Sequence, residues 1–401
     1  MLKKRWIVSC GLSLMLVAAA ASADKYDRRA RALVKQYLLV DSHIDVPNRI
    51  NEHWEDVTRA TAEGQFDYPR AVQGGLNVPF MSIYTPASSE NDGSAYALAN
   101  TLIDQVEAIV QRAPQRFALA TSTSEVEEQF QAGQISLALG MENGAPIQGS
   151  LDKLQHFYER GIRYITLAHS QSNHISDSSY DKVRMWQGLS PFGAEVVARM
   201  NKLGIMIDIS HVSDQAAYEV LASSAAPVLA SHSSTRALVQ TEPVFERNMD
   251  DELIKALAKN GGVIMINFGS SFVTTEAGEY RLKYRPAATA YAKRHGYKSG
   301  SPELKAFAKA YRSKHPYPFA TVQQVADHFD HVKNLVGIDY VGIGSDYDGV
   351  GNSLPVGLKD VASYPVLVAE LLRRGYSEQD IEKLLGGNLM RVWKAVEERA
   401  G

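Results

Sequence analysis

Eight short apolar segments recur along the chain, and most of the residues between them show the apolar periodicity of helices. Most of the eight do not alternate polar with apolar residues, which is typical of parallel strands buried on both faces. Eight strand–helix units in series predict an α/β fold, the TIM (β/α)8 barrel. The predicted strands lie at residues 38–45, 77–84, 135–142, 164–169, 205–211, 227–232, 263–268 and 340–346. The predicted helices lie at residues 25–37, 94–113, 151–160, 192–203, 213–223, 250–259, 287–295, 302–314, 321–336, 364–374 and 377–398.

The N-terminus has the three parts of a secretory signal peptide. Residues 3–5 are basic, residues 6–20 are apolar, and residues 21–23 are small enough for cleavage. The apolar run is shorter than a typical membrane span. We therefore predict a signal peptide over residues 1–23, cleavage after Ala23, and a secreted chain without a membrane anchor.

The remaining residues, 24–401, indicate one elaborated domain. No linker or low-complexity segment divides them, so we predict a single (β/α)8 domain with an insertion at about residues 270–320, between strands seven and eight. The only cysteine, Cys10, lies in the signal peptide, which excludes disulfides from the exported chain. The formal net charge of −3 argues against nucleic acid as a partner.

Side chains that ligate metals or transfer protons stand at the ends of six of the eight predicted strands. In a barrel these carboxyl ends converge on one mouth, where catalytic groups lie. Histidine, aspartate and glutamate together suit a borderline metal ion such as zinc. The residues are His43 and Asp45 (strand one), Glu142 (three), His169 (four), His211 (five), His232 (six), and Asp346 with Asp348 (eight).

This inventory is sufficient for two metal ions. His43 and Asp45 share one face of a strand and are predicted to hold one ion, while His211 and His232 hold a second. The carboxylate of Glu142 has two oxygens and is predicted to bridge them. Two such ions share a water and lower its pKa, so that hydroxide attacks an amide or a phosphoester. The other seven histidines lie in predicted helices or loops and are expected to be surface or packing residues.

Eight ordered segments resemble the membrane (renal) dipeptidase family of zinc metallopeptidases. The resemblance extends from about Tyr37 to the C-terminus. The segments are DSHID (41–45), GMEN (140–143), RYITLAH (163–169), LSPFG (189–193), IDISHV (207–212), SHSS (231–234), RNM (247–249) and GSDYDGV (344–350). The resemblance implies a binuclear zinc barrel that hydrolyses dipeptides with a free C-terminal carboxylate, including L-D dipeptides. It also implies a homodimer.

Position by position, the resemblance implies the same ligands as the strand ends: His43 and Asp45 for one zinc, His211 and His232 for the other, and Glu142 as the bridge. Further roles are carried over in the same way. His169 resembles the residue that steadies the oxyanion, Arg247 the residue that binds the substrate carboxylate, and Asp346 the group that passes a proton to the leaving amine. Spacing alone does not choose between Asp346 and Asp348, since both are expected to share a strand face; the resemblance does.

Three other functions are compatible with parts of this pattern. Another amide, in an N-acyl-D-amino acid or a β-lactam, would use the same metal set. A silent binding protein would lack a ligand, and none is missing. A phosphotriesterase-like hydrolase would not obviously need Arg247. The chain lacks the disulfides and the C-terminal anchor signal of animal members, so a bacterial periplasm is the simplest destination. Phe272 stands where some members have tyrosine.

The insertion at about residues 270–320 is rich in lysine, arginine and tyrosine. One interpretation is a solvated helical hairpin. The other follows from topology, because a segment after strand seven starts at the catalytic mouth. In that case it forms a wall of the site, sets substrate size and attracts carboxylates.

Overall fold

The computed structural model describes residues 25–298 and 300–401. The predicted signal peptide over residues 1–23 and its cleavage after Ala23 therefore lie outside the described residues. The described chain contains nine strands. They are β1 (Val40–Ile44), β2 (Val78–Tyr84), β3 (Phe117–Leu119), β4 (Ile135–Glu142), β5 (Ile162–Thr166), β6 (Met206–Asp208), β7 (Leu229–Ser233), β8 (Val263–Ile266) and β9 (Val341–Ile343).

Eight of these strands close into a parallel barrel, which confirms the predicted TIM fold. Each of the eight pairs with its neighbours in chain order, and β9 returns to pair with β1. β3 is not part of the barrel wall. It pairs only with the start of β4, so that β2 contacts β4 directly along five residue pairs ending at Tyr84 and Glu142. Three residues form too short a pattern for β3 to have been predicted.

Helices surround the barrel. They are α1 (25–36), α2 (Val46–Glu52), α3 (Tyr68–Gly74), α4 (Ser88–Asp92), α5 (Ala95–Arg112), α6 (Thr123–Gln131), α7 (Leu151–Glu159), α8 (Pro191–Leu203), α9 (Asp214–Ser223), α10 (Asp251–Asn260), α11 (Ser270–Val273), α12 (Thr275–His295), α13 (Pro302–Lys314), α14 (Val322–Val336), α15 (Tyr364–Arg373), α16 (Glu378–Glu382) and α17 (Asn388–Glu397). Ser213 caps α9 as predicted, and Gly204 ends α8 in the left-handed region. None of the described helices is long and apolar enough to cross a bilayer.

The floor of the barrel is a compact aromatic cluster. The ring of Phe80 lies 5.2 Å from that of Trp393, on α17, and 5.4 Å from that of Tyr164, on β5. All three side chains are fully buried. The hydroxyl of Tyr164 extends from this apolar floor towards the opposite end of the barrel, where it meets His43. The packed floor thereby sets the position of a polar group at the mouth.

The prediction of one continuous C-terminal helix over residues 377–398 is wrong in one respect. The structure contains α16, a π turn over Lys383–Gly387, and then α17. The reason is the approach of Gly386 to the chain that enters β1. A Cβ atom at Gly386 would lie 2.5 Å from the carbonyl oxygen of Leu38 and 2.9 Å from a methyl of Val40.

A pair of glycine substitutions tests this contact. Gly386→Ala is expected to destabilise the fold by about 2 kcal/mol, because the added methyl overlaps backbone that cannot move without shifting β1. Gly387→Ala is the control, since its nearest neighbouring atom is 3.4 Å away and alanine favours helix. Denaturant unfolding measures both. Equal effects from the two substitutions would contradict the role given to Gly386.

Candidate active site

The side chains predicted at the strand ends meet at one mouth of the barrel, around Glu142. This carboxylate is buried. One oxygen, Oε1, lies 3.2 to 3.4 Å from the Nε2 atoms of three histidines, and the other, Oε2, lies 3.4 Å from Nε2 of His43. The three are His169, His211 and His232. Asp45 joins the group, with Oδ2 3.4 Å from His43 Nε2.

The strands end earlier than predicted, so several candidate site residues lie on the loops that follow the strands. His169, His211 and Asp346 each lie three residues beyond the last residue of their strand. His211 and Asp346 have φ angles of 69° and 62°, a region that residues other than glycine rarely adopt. Such backbone is typical of functional sites held by their surroundings. The prediction that His43 and Asp45 share a strand face is wrong, because Asp45 follows β1 and precedes α2.

Asp346 and Asp348 have different environments. The Oδ2 atom of Asp346 accepts a hydrogen bond of 2.7 Å from Asn267 Nδ2 at the mouth of the barrel. Asp348 turns away and is held by Arg49 Nε at 3.0 Å and by the backbone N–H of Gln65 at 2.7 Å. Both oxygens of Asp348 therefore accept hydrogen bonds, which makes Asp346 the better candidate to act on a ligand beside Glu142. Both residues have positive φ, so the shared strand face expected from the sequence does not form.

A chain of hydrogen bonds orients His232. Ser231 Oγ lies 2.6 Å from Asp208 Oδ2 and 2.6 Å from His232 Nδ1. An ionised carboxylate only accepts, so the single hydroxyl hydrogen of Ser231 goes to Asp208, and Ser231 accepts from the N–H at His232 Nδ1. The lone pair of His232 then lies at Nε2 and points into the site.

The same reasoning applies to His211. Arg247 Nη2 lies 3.0 Å from His211 Nε2, and a guanidinium only donates, so this nitrogen also presents a lone pair. It lies 2.8 Å from His232 Nε2 and 3.2 Å from Glu142 Oε1. Three acceptor atoms therefore face one another in a buried space. A cation among them would turn this repulsion into attraction.

The distances to Glu142 fit a metal ion better than hydrogen bonds, whereas His211 Nε2 and His232 Nε2, 2.8 Å apart, lie closer than two ligands of one ion do. Two ligand atoms about 2.1 Å from a zinc ion at the tetrahedral angle lie about 3.4 Å apart. The separations of 3.2 to 3.4 Å around Glu142 have this length, whereas good N–H···O bonds are shorter. Among the described residues, His43 Nε2 is buried without a hydrogen-bond partner. Candidate ligand sets are His43, Glu142 and His232; Glu142, His169 and His211; and His43, Asp45 and Asp346.

The ionisation states agree with metal binding. Burial opposes the charge on Glu142, but the imidazoles of His43 and His169 outweigh it and hold the pKa of Glu142 well below its usual range. Burial, reinforced by Arg247, holds the pKa of His211 well below its usual range. Burial and the neighbouring His43 do the same for the pKa of His232. The site therefore offers a carboxylate and, at His211 and His232, two neutral imidazoles, the forms that ligate metals. At His43 burial is outweighed by Tyr164, Glu142 and Asp45, which hold the pKa of His43 well above its usual range, so an ion bound there would displace a proton.

Arg247 is a buried cation beside this centre. Its guanidinium donates to Ser233 Oγ at 3.0 Å and to the carbonyl oxygen of His232 at 2.7 Å. Its Nε has no partner among the described residues. The carbon of the guanidinium lies 5.4 Å from the ring centre of Phe272. A donor held this firmly next to the metal ligands can bind the carboxylate of a ligand.

Three residues that support the site were missed in the sequence. Tyr164 Oη lies 2.7 Å from His43 Nδ1, Asn267 holds Asp346, and a Cβ at Gly349 would lie 2.1 Å from Asp45 Oδ2. Asn267 had a usable signal, because it stands next to last in predicted strand seven, close to the strand end as the candidate metal ligands are. Tyr164 lies inside a strand pattern that reads as ordinary core, and nothing in the sequence distinguishes it.

A cavity of about 960 Å³ opens above these residues. Its base contains Asp45, Glu142, His211, Arg247 and Asp346. Its outer walls come largely from α12 and α13, the two long helices of the segment predicted as an insertion. Space for a ligand therefore lies between the candidate metal centre and this helical hairpin.

The family model described as membrane dipeptidase (Peptidase family M19) matches residues 27–401. The chain belongs to the membrane dipeptidase family. The family inferred from the motifs is confirmed, and membership places the chain among hydrolases that act as metallopeptidases.

Known members of the dipeptidase family resemble the chain over nearly its whole length. Dipeptidase 3 of Mus musculus is 33% identical over 389 residues, which cover 94% of this chain and 68% of the relative. The structure of the probable dipeptidase PvdM from Pseudomonas aeruginosa aligns with a TM-score of 0.80 at 28% identity, covering 94% of this chain and 100% of that one. A metallopeptidase from Rhodobacter sphaeroides, liganded with a phosphinate mimic of L-Ala-D-Ala, shares the fold with a TM-score of 0.73 at 23% identity, covering 90% and 99%.

The environment of Asp346 predicts a pH-dependent stability. Burial, with the charge of Asp45, raises the pKa of Asp346 to about 7, against about 3.9 in an unfolded chain. Between these values the folded state keeps a proton that the unfolded state releases. The stabilisation is complete below about pH 4 and is lost as the pH rises to about 7.

In chelator-treated protein, Asp346→Asn removes this titration. The free energy of unfolding of the variant relative to the parent is expected to rise by up to about 1.4 kcal/mol for each pH unit between roughly pH 4 and 7. Urea unfolding at several pH values measures it. A difference that stays constant across this range would show that Asp346 titrates normally.

Proposed function

We propose that this chain is a dipeptidase that uses two zinc ions to hydrolyse dipeptides with a free C-terminal carboxylate, L-D dipeptides included. The observation that carries the proposal is the set of lone-pair atoms around Glu142, at separations of 3.2 to 3.4 Å that match the edges of a zinc coordination shell. Family membership supports the dipeptide substrate, and the buried Arg247 supports selection for the free carboxylate.

In this proposal His43 and Asp45 would hold one ion, His211 and His232 would hold the other, and Glu142 would supply a carboxylate oxygen to each. The ring of His232 stacks on that of His43 with centres 3.7 Å apart, so the two halves of the centre are in contact. When bound, the ions supply Lewis-acid activation of a water molecule, which becomes the nucleophile.

The neighbouring side chains position the peptide. Arg247 binds the terminal carboxylate in a bidentate manner, which fixes the scissile bond at a constant distance from that end. His169 faces the cavity, with 17% of its side chain exposed and Nε2 3.3 Å from Glu142 Oε1. From there it donates a hydrogen bond to the carbonyl oxygen as negative charge develops.

Asp346 moves the proton. Its carboxylate accepts the proton that the attacking water releases and donates it to the leaving nitrogen. Asn267 holds Oδ2, and the absence of a side chain at Gly349 leaves room for Oδ1 and for Asp45. The carbon–nitrogen bond breaks, water supplies the oxygen of the new carboxylate, and the amine leaves protonated.

Two substitutions separate metal binding from proton transfer. His232→Ala is expected to reduce the zinc content from about two ions per chain to about one, with nearly all turnover lost. Asp346→Asn is expected to keep both ions and to lose roughly 10²- to 10⁴-fold in kcat. Elemental analysis of purified protein and hydrolysis of L-Ala-D-Ala measure the two properties. Full turnover in His232→Ala would overturn the ligand assignment.

A substrate panel tests the reaction itself. With zinc, L-L and L-D dipeptides are expected to be cleaved, and amidation of the C-terminus is expected to lower kcat/KM by roughly 10- to 100-fold, because Arg247 loses its charged partner. N-acyl-D-amino acids and a β-lactam complete the panel. If one of these is hydrolysed best, the site serves a different amide. Equal cleavage of acid and amide would contradict the role of Arg247.

A further inference from the structure

The cavity has two electrostatic poles. Its acidic lining residues lie at the base, within the candidate metal centre or paired with Arg49. The outer lining from the hairpin formed by α12 and α13 contributes cations and, among the described lining residues, no carboxylate. These cations are Arg281, Arg285, Lys305, Lys309 and Arg312.

Arg281 is the cation of this group that contacts the same aromatic ring as Arg247. Its guanidinium carbon lies 3.8 Å from the ring centre of Phe245 and 6.0 Å from that of Phe272. Its Nε is buried without a hydrogen-bond partner, and no described residue forms an ion pair with it. Burial lowers the pKa of Arg281, and the charges of Arg285 and Arg247 act in the same direction. The charge is thus held in place without a counterion from the described chain.

Phe272 links this cation to the inner one. Arg247 lies 5.4 Å from the Phe272 ring centre and Arg281 lies 6.0 Å from it, so two guanidinium groups contact one aromatic ring. Arg247 is the proposed partner of the substrate's terminal carboxylate. Arg281 lines the same cavity and contacts the same ring, so it is the cation that the side chain of that C-terminal residue meets next in this proposal.

The hairpin is a rigid support for these charges. Rings from α12 and α13 interlock along its length, with centres 5.7 Å apart for Tyr280 and Tyr311 and 4.4 Å apart for Tyr291 and Phe307. Arg312 Nη1 donates to the carbonyl oxygen of Asn352 at 3.0 Å, which ties the hairpin to the loop after β9. Cations held in this way, as Arg281 and Arg312 are, select among ligands more sharply than mobile surface lysines do.

We propose that the hairpin forms a subsite for a second anionic group, so that the enzyme prefers dipeptides whose C-terminal residue is Asp or Glu. The α-carboxylate binds Arg247 and the side-chain carboxylate binds Arg281. The outer cations draw such doubly anionic substrates into the cavity. This inference rests on the proposed dipeptidase function and names its substrate class.

The test compares isosteric substrates. In zinc-loaded protein, kcat/KM is measured for Ala-Glu and Ala-Gln, each with an L and a D C-terminal residue. The parent is expected to prefer Glu over Gln by about tenfold or more. Arg281→Gln is expected to reduce that ratio to within about threefold, while Arg281→Lys keeps part of it. Raising the salt from roughly 0.05 M to roughly 0.5 M is expected to shrink the parent's preference.

Arg294→Gln is the matched control. It removes the same charge from the same helix at an exposed position outside the cavity lining, and the Glu-to-Gln ratio is expected to stay. If Arg294→Gln lowers the Glu-to-Gln ratio as much as Arg281→Gln does, long-range attraction alone explains the preference and the subsite is overturned. If Arg281→Gln does not fold, Arg285→Gln replaces it, and unchanged ratios in Arg285→Gln and Arg281→Lys overturn the proposal.

The same measurements test the anionic subsite and the proposed dipeptidase function separately. Equal cleavage of Ala-Glu and Ala-Gln by the parent overturns the subsite and leaves the dipeptidase function intact. No cleavage of any dipeptide by zinc-loaded protein overturns the dipeptidase function first.

Discussion

A carboxylate almost without access to water, that of Glu142, is the constraint on which the site depends. Burial alone would neutralise it, so positive or polarisable groups must surround it, and the barrel supplies them from several strands. The direct pairing of β2 with β4 belongs to the same arrangement. It brings Ser82 beside the end of β4, where Ser82 Oγ donates to Glu142 Oε2 at 3.1 Å. The strand pairing that closes the barrel therefore also positions a hydrogen-bond donor for the central carboxylate.

The positions of the site residues were predictable because a parallel barrel sends every strand end to the same mouth. His43, Glu142 and His232 were identified on that ground, and the structure brings them together. The orientation of each side chain was not predictable, since it depends on the left-handed backbone at His211 and Asp346 and on partners distant in sequence. Asp348 is an example of this limit. Strand periodicity made Asp346 and Asp348 equally good candidates, and the contact of Asp348 with Arg49 in the structure distinguishes them.

Support for the site extends one layer below the candidate ligands. Asp208 reaches His232 through Ser231, and Tyr164 connects the aromatic floor to His43. These partners determine which nitrogen of each ring faces the centre, so they matter to metal affinity although they cannot touch the ion. Their patterns resemble ordinary core sequence, and for that reason such residues escape sequence analysis while the ligands themselves do not.

The interlocked rings of the hairpin have a consequence for substitutions. Rings of α12 and α13 pack on one another, and Tyr280 also packs on Tyr317, so these contacts of the hairpin lie outside the barrel strands. Side chains on its cavity side can therefore be exchanged with little effect on the strand ends below. The chain thus combines a candidate metal centre on the strand ends with a wall that can be altered separately.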